Sequence, residues 1–100
     1  MAELLTVVAE FKAKSGKEEE LRATLLELIE PTRKENGCVQ YDLHVHTSDP
    51  GRFVFYENWT SQDTLGRHAG SAHLKRLNEK LASLDLVAEP VRVETYTRIA

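Results

Sequence analysis

Several ingredients are scarce in this chain, and each scarcity excludes something. There is one cysteine in 100 residues, Cys38, so no intrachain disulfide can form and a reducing compartment fits. Lysine and arginine total 13 against 16 acidic residues, a net charge of −3. The basic footprint of a nucleic-acid binder is therefore missing. Apolar runs are only a few residues long, well short of a membrane span. The opening Met1-Ala2-Glu3-Leu4-Leu5 lacks the basic segment and cleavage motif of a secretory signal. No glycine-rich phosphate loop or dinucleotide fingerprint occurs, so flavin and nicotinamide binding have no support. The expectation is a small cytoplasmic protein with no cofactor, no nucleic-acid partner and no membrane partner.

What is present suffices for one domain over residues 1–100, with its core at about 4–98. The chain is 41% hydrophobic and 29% charged, ordinary for a globular fold. A chain this short buries a modest share of its surface, so a partner subunit would help it.

Periodicity alternates between two and about 3.6 along the sequence. Residues 4–13 read as a strand with Leu5, Val7, Ala9 and Phe11 on one face. After Lys14-Ser15-Gly16, Ser15 and Glu18 fit a capping box. Residues 17–35 read as one long amphipathic helix with Leu21, Leu25, Leu28, Ile29 and Thr32 on a stripe. Pro31 should kink or tighten its last turn, and Asn36-Gly37 stops it. Residues 38–48 alternate, with Val39, Tyr41, Leu43 and Val45 on one face. Asp49-Pro50-Gly51 is a turn, and 52–59 resume as a strand, which makes a hairpin. Thr60 or Ser61 caps a helix running to about Ala69. Gly70 breaks it, and Ser71 caps a second segment carrying Leu74, Leu77, Leu81 and Leu84. Residues 91–99 alternate once more.

The order β-α-β-β-α-β predicts an α+β, ferredoxin-like fold, an antiparallel sheet with helices on one face. The other face carries Leu4 and Val8 among others, and self-pairing through it predicts a homodimer.

The stretches Gly37-Cys38-Val39-Gln40-Tyr41-Asp42-Leu43, Asp49-Pro50-Gly51-Arg52-Phe53 and Glu57-Asn58-Trp59, followed by His68 and His73, resemble the antibiotic biosynthesis monooxygenase domain family. The likeness covers about residues 4–98. It implies a dimeric α+β barrel and, in relatives, cofactor-independent oxidation of aromatic polyketides or quinols by O₂. Other relatives degrade haem, using an asparagine on the first strand and a tryptophan and a histidine on the second helix. Here the first strand has no asparagine, and Trp59 precedes the second helix.

On that resemblance, the expected activity is a monooxygenase acting on a quinol-like or polycyclic phenol, with a small aromatic molecule and O₂ as partners. Such chemistry needs a base that turns the substrate into an anion able to reduce O₂, and an imidazole suits it at neutral pH. His68 is the candidate base and His73 a supporting catalytic group. Both could instead be structural, capping the broken helix or binding Glu57. Tyr41, Trp59 and Phe55 are candidate pocket walls or plain core. Glu57 shares a strand face with Phe53, Phe55 and Trp59, where a carboxylate needs a partner. It either orients a histidine or ties strand to helix. His44, His46 and Asp42 share a strand face, yet no further ligand set accompanies them, so no metal is expected. Arg92, Tyr96 and Arg98 could pair with that row across a sheet or subunit boundary. Two other readings stay open: an isomerase or lyase of a small hydroxy-carbonyl metabolite, and a non-enzymatic binding module.

Overall fold

Alternation along the first strand decides which side of the sheet meets the helices. The computed structural model describes residues 4–100. In β1 (Leu5–Lys12) the side chains of Val7, Ala9 and Phe11 are buried, while Thr6, Val8 and Glu10 keep partial exposure on the other face. The chain continues through α1 (Glu18–Leu26), α2 (Ile29–Arg33), β2 (Cys38–Val45), β3 (Arg52–Trp59), α3 (Gln62–Ala69), α4 (Ala72–Ser83) and β4 (Arg92–Thr97). The four strands form one antiparallel sheet in the order β2-β3-β1-β4. This is the ferredoxin-like α+β arrangement that the element order predicts.

The core lies between the sheet and the helices. Phe53, Phe55 and Trp59 project from β3 onto Leu21, Leu25 and Leu28 and onto Leu77 and Leu81. All are less than a tenth exposed. Each such side chain contributes about 2 kcal/mol through removal from water.

The long helix expected over 17–35 is two helices. Pro31 has no N–H, and its ring would collide with the carbonyl four residues back, at Glu27, in a continuous helix. The chain turns at Glu27 and Leu28 instead, and Pro31 becomes the third residue of α2, where no intrahelical N–H is needed. The stripe survives the break: Leu21, Leu25, Leu28 and Thr32 are buried. The Ser15 cap does not form. α1 starts after Lys17, and Glu18 reaches back to accept from the Gly16 N–H at 3.0 Å.

The hairpin and both caps of the second helical region match their sequence signals. Ser61 and Thr64 form a capping box on α3, and Ser71 caps α4 by accepting from the Leu74 N–H at 3.3 Å. Gly37, at φ +89°, makes the left-handed turn into β2.

Two edges depart from simple alternation. A bulge between Cys38 and Gln40 leaves Val39 54% exposed, although Tyr41 on the nominal same face is buried. Every residue of β4 is exposed, because the helices stop short of that edge. The proposed pairing of Arg92, Tyr96 and Arg98 with the β2 row does not occur within the chain, since β2 and β4 are opposite edges. Asp42 pairs with Arg33 at 3.0 Å instead. Among the described residues no helix is long and apolar enough to cross a membrane.

Candidate active site

β1, β3 and the α3–α4 corner converge on one cavity. It measures about 430 Å³, within the size range of small-molecule sites. Val7, Ala9 and Phe11 of β1 form its floor with Tyr41 and Phe55, which stack at 4.6 Å between centroids. Leu65, Leu74 and Leu77 roof it. Val93 on the uncovered edge strand, 60% exposed, marks its mouth. The polar side chains in this lining are few: Glu57, Gln62, His68 and Asn78, with the Tyr41 phenol.

His68 is placed by the helix break. It is the penultimate residue of α3, and the Ser71 hydroxyl that caps α4 also donates to the His68 carbonyl at 2.7 Å. The imidazole is 5% exposed. It packs on Trp59 at 4.6 Å between centroids and edge-on to Tyr41 at 5.5 Å. Its Nδ1 lies 2.7 Å from Glu35 Oε2, and His73 Nε2 lies 2.7 Å from the same oxygen. Both ring nitrogens donate to the carboxylate, which fixes the neutral His68 as the Nδ1–H tautomer. Nε2 is then unprotonated.

Nε2 of His68 has no hydrogen-bond partner among the described residues. Neither does Oε2 of Glu57, whose Oε1 accepts from Trp59 Nε1–H at 2.9 Å. Among the described residues, Thr32 Oγ1 is the sealed side-chain polar atom left without a partner. The two free atoms therefore retain accessible surface, and both residues line the cavity. His68 and Glu57, each with one side-chain atom free of protein partners among the described residues, thus line a mostly apolar cavity beside Gln62, Asn78 and Tyr41.

Burial pushes the His68 imidazole below its ordinary value, and the neighbouring His73 adds to this; the Glu35 hydrogen bond and charge pull it back up. Burial pushes Glu57 up to about 7, opposed by the Trp59 N–H and reinforced by the Glu35 charge. Burial also drives the Tyr41 phenol above its ordinary range, with Glu57 acting in the same direction. It is a proton-bearing wall rather than a base. The Cys38 thiol is likewise raised, first by burial, and is no activated nucleophile.

The sequence-derived candidates sort as follows. His68, Glu57, Tyr41 and Phe55 line the cavity. Trp59, fully buried, stands behind His68 and Glu57 and is not part of the lining. His73 is also outside the lining and reaches the site through Glu35. Glu57 does not touch His68 as a hydrogen-bond partner; its partner is Trp59. The carboxylate that holds both histidines is Glu35, which sequence reasoning missed. A signal existed: Glu35 continues the stripe Leu21, Leu25, Leu28, Thr32 at helical spacing, a charge on a core-facing position.

Metal-capable donors gather at one place among the described residues. Glu35, His68 and His73 offer atoms within 4.8 Å of one another, and these are the atoms already hydrogen bonded together. His44 and His46 do not form such a group; His46 Nδ1 accepts from the Ser48 N–H at 3.0 Å.

The family model for "Antibiotic biosynthesis monooxygenase" matches residues 4–80. The chain belongs to the antibiotic biosynthesis monooxygenase family. Rv0793 of Mycobacterium tuberculosis, provisionally named a monooxygenase, is 37% identical over 93 residues, covering 93% of this chain and 89% of that protein. An uncharacterized protein of Synechocystis is 32% identical over 92 residues; the match takes in 92% of this chain but spans only 61% of that protein's length. The crystal structure of PA3566 from Pseudomonas aeruginosa superposes with a TM-score of 0.92 at 33% identity, covering 100% of this chain and 98% of the other. The fold is thereby shared across the whole chain.

Proposed function

We propose that the protein is an O₂-dependent monooxygenase that uses no cofactor, oxidises a quinol-like or polycyclic phenol, and employs His68 as its base. One observation carries this reading: His68 Nδ1 is tied to Glu35 at 2.7 Å while its partnerless Nε2 belongs to a ring lining an apolar cavity of about 430 Å³. Family membership supports the reaction class.

Nε2 takes the proton of a substrate hydroxyl. The imidazolium so formed is stabilised through Nδ1–H by the Glu35 carboxylate. His73, donating to the same oxygen, holds that carboxylate in place. The substrate anion, held among Tyr41, Phe55 and the leucines, is the electron donor to O₂. For a quinol the balance is quinol plus O₂ giving hydroxyquinone plus water. One oxygen atom enters the ring carbon that loses hydrogen, and the other leaves as water. The quinol and the C–H bond together supply the four electrons.

The same reading includes a homodimer through the open sheet face and a cytoplasmic location. Tyr56 and Tyr96 stand exposed on that face, 40% and 54%. They flank a hydrogen-bonded chain in which Thr6 donates to Asn58 at 2.6 Å and Asn58 donates to Gln40 at 2.8 Å. Exposed aromatics around an ordered polar row suit a self-complementary interface.

Turnover of a naphthoquinol panel under ¹⁸O₂ tests the reaction. One O₂ consumed per quinol, with one labelled atom in the product and one in water, is the expected result. Products without label, or turnover that continues without O₂, overturn it.

A further inference from the structure

Glu57 is a carboxyl side chain only 4% exposed, on a strand face otherwise occupied by Phe53, Phe55 and Trp59. A structural tie between strand and helix would engage both of its oxygens with the protein. Only Oε1 is engaged, by Trp59 Nε1–H at 2.9 Å. Oε2 has no partner among the described residues, and Glu57 lines the same cavity as His68. A half-satisfied buried carboxyl is costly, and a ligand that completes it recovers that cost.

We propose that Glu57 Oε2 is a hydrogen-bond donor to a second oxygen on the substrate, so that the cavity selects dioxygenated aromatics over monophenols. The inference rests on the reading of this cavity as the substrate site. The first oxygen gives its proton to His68, and the second accepts from Glu57. The Trp59 N–H fixes the roles of the two carboxyl oxygens: Oε1 accepts, so the proton resides on Oε2. The surroundings favour the protonated carboxyl. The titratable groups facing Glu57 are Glu35 after α2, Tyr41 and Cys38 on β2 and His68 on α3. From β1 the cross-strand neighbour is Val7, and α4 contributes the neutral Asn78. Glu35 is the formal negative charge among them, and together with burial it raises Glu57 to about 7.

The test is anaerobic calorimetric titration with 1-naphthol and with 1,2-, 1,3- and 1,4-dihydroxynaphthalene, so that binding is read without oxidation. At pH 6, at least one diol should bind about tenfold more tightly than 1-naphthol, the effect of one well-made hydrogen bond. Glu57→Gln should keep that preference, because Trp59 orients the amide with its NH₂ where Oε2 was. Glu57→Leu should reduce it to less than about threefold. With 4-methoxy-1-naphthol, whose second oxygen only accepts, raising the pH to 8.5 should erase the preference over 1-naphthol in the wild type and leave it in Glu57→Gln. No diol preference in the wild type, a preference that survives Glu57→Leu, or one that strengthens with pH overturns the proposal. A Glu57 result of either kind leaves the ¹⁸O₂ outcome untouched, and absence of oxygen transfer leaves the binding contrast intact.

Discussion

Replacing Glu35 by glutamine keeps the shape of the site and removes its charge. The carboxylate accepts from His68 Nδ1 and His73 Nε2 on one oxygen, each at 2.7 Å. An amide oxygen can accept both bonds, so the rings should stay in place. What disappears is the charge that stabilises the imidazolium. Hydrogen bonds to charged groups exceed neutral ones by about 1–2 kcal/mol. That difference corresponds to about a five- to thirtyfold rate effect. Glu35 raises the His68 value, so Glu35→Gln should lower it further. Activity requires the neutral ring and falls as pH drops through its pKa. The acid limb of the pH–kcat profile should therefore move to lower pH, with kcat reduced about tenfold and KM changed by less than about threefold. O₂ uptake between pH 5 and 9 reads the profile. The His68 Cε1–H resonance reads the same pKa without substrate. An acid limb that stays put or moves up, with an unshifted resonance, would refute the view that Glu35 acts through His68.

Three further outcomes follow from the structure. Glu57 rises from 4.5 to about 7 on folding. Its contribution is fully present below its unfolded value and is lost as pH rises through 7, about 3 kcal/mol in all. His68 acts with opposite sign: its depressed value makes stability grow as pH rises toward 6.5. Urea midpoints should therefore show wild type losing stability relative to Glu57→Gln between pH 5 and 8, and parallel curves would contradict the assignment. Gly37→Ala should cost at least about 2 kcal/mol, since a side chain at φ +89° is strained and its Cβ would fall 2.3 Å from Thr64 Cγ2. Thermal denaturation measures this, and an unchanged melting temperature would show that the turn can adapt. Val8→Glu places a second negative charge opposite Glu94 on the open face. Light scattering should find two chains per particle in wild type and one in the variant, and a wild-type monomer would remove the proposed interface.

Much of the architecture was legible because it depends on local chemistry. Alternation of Val7, Ala9 and Phe11 marked the buried face of β1, and Ser61 and Ser71 announced the starts of α3 and α4. Pro31 signalled a disturbance, but its extent was not legible. Whether the chain kinks or turns depends on how α1 and α2 each pack on the sheet. The exposure of Val39 and Val93 was equally hidden, because it reflects a bulge and the reach of the helices rather than any property of valine.

The sequence alone determined the order of elements, the faces of the central strands and the family, since these follow from side-chain periodicity and motif spacing. Only the tertiary structure decided the chemistry of the cavity. It brought Glu35 from the turn after α2 onto two histidines more than thirty positions away, and it assigned Trp59 to Glu57. Proton-holding power arises from burial and from neighbours distant in the chain, and neither is encoded at the residue that carries the proton.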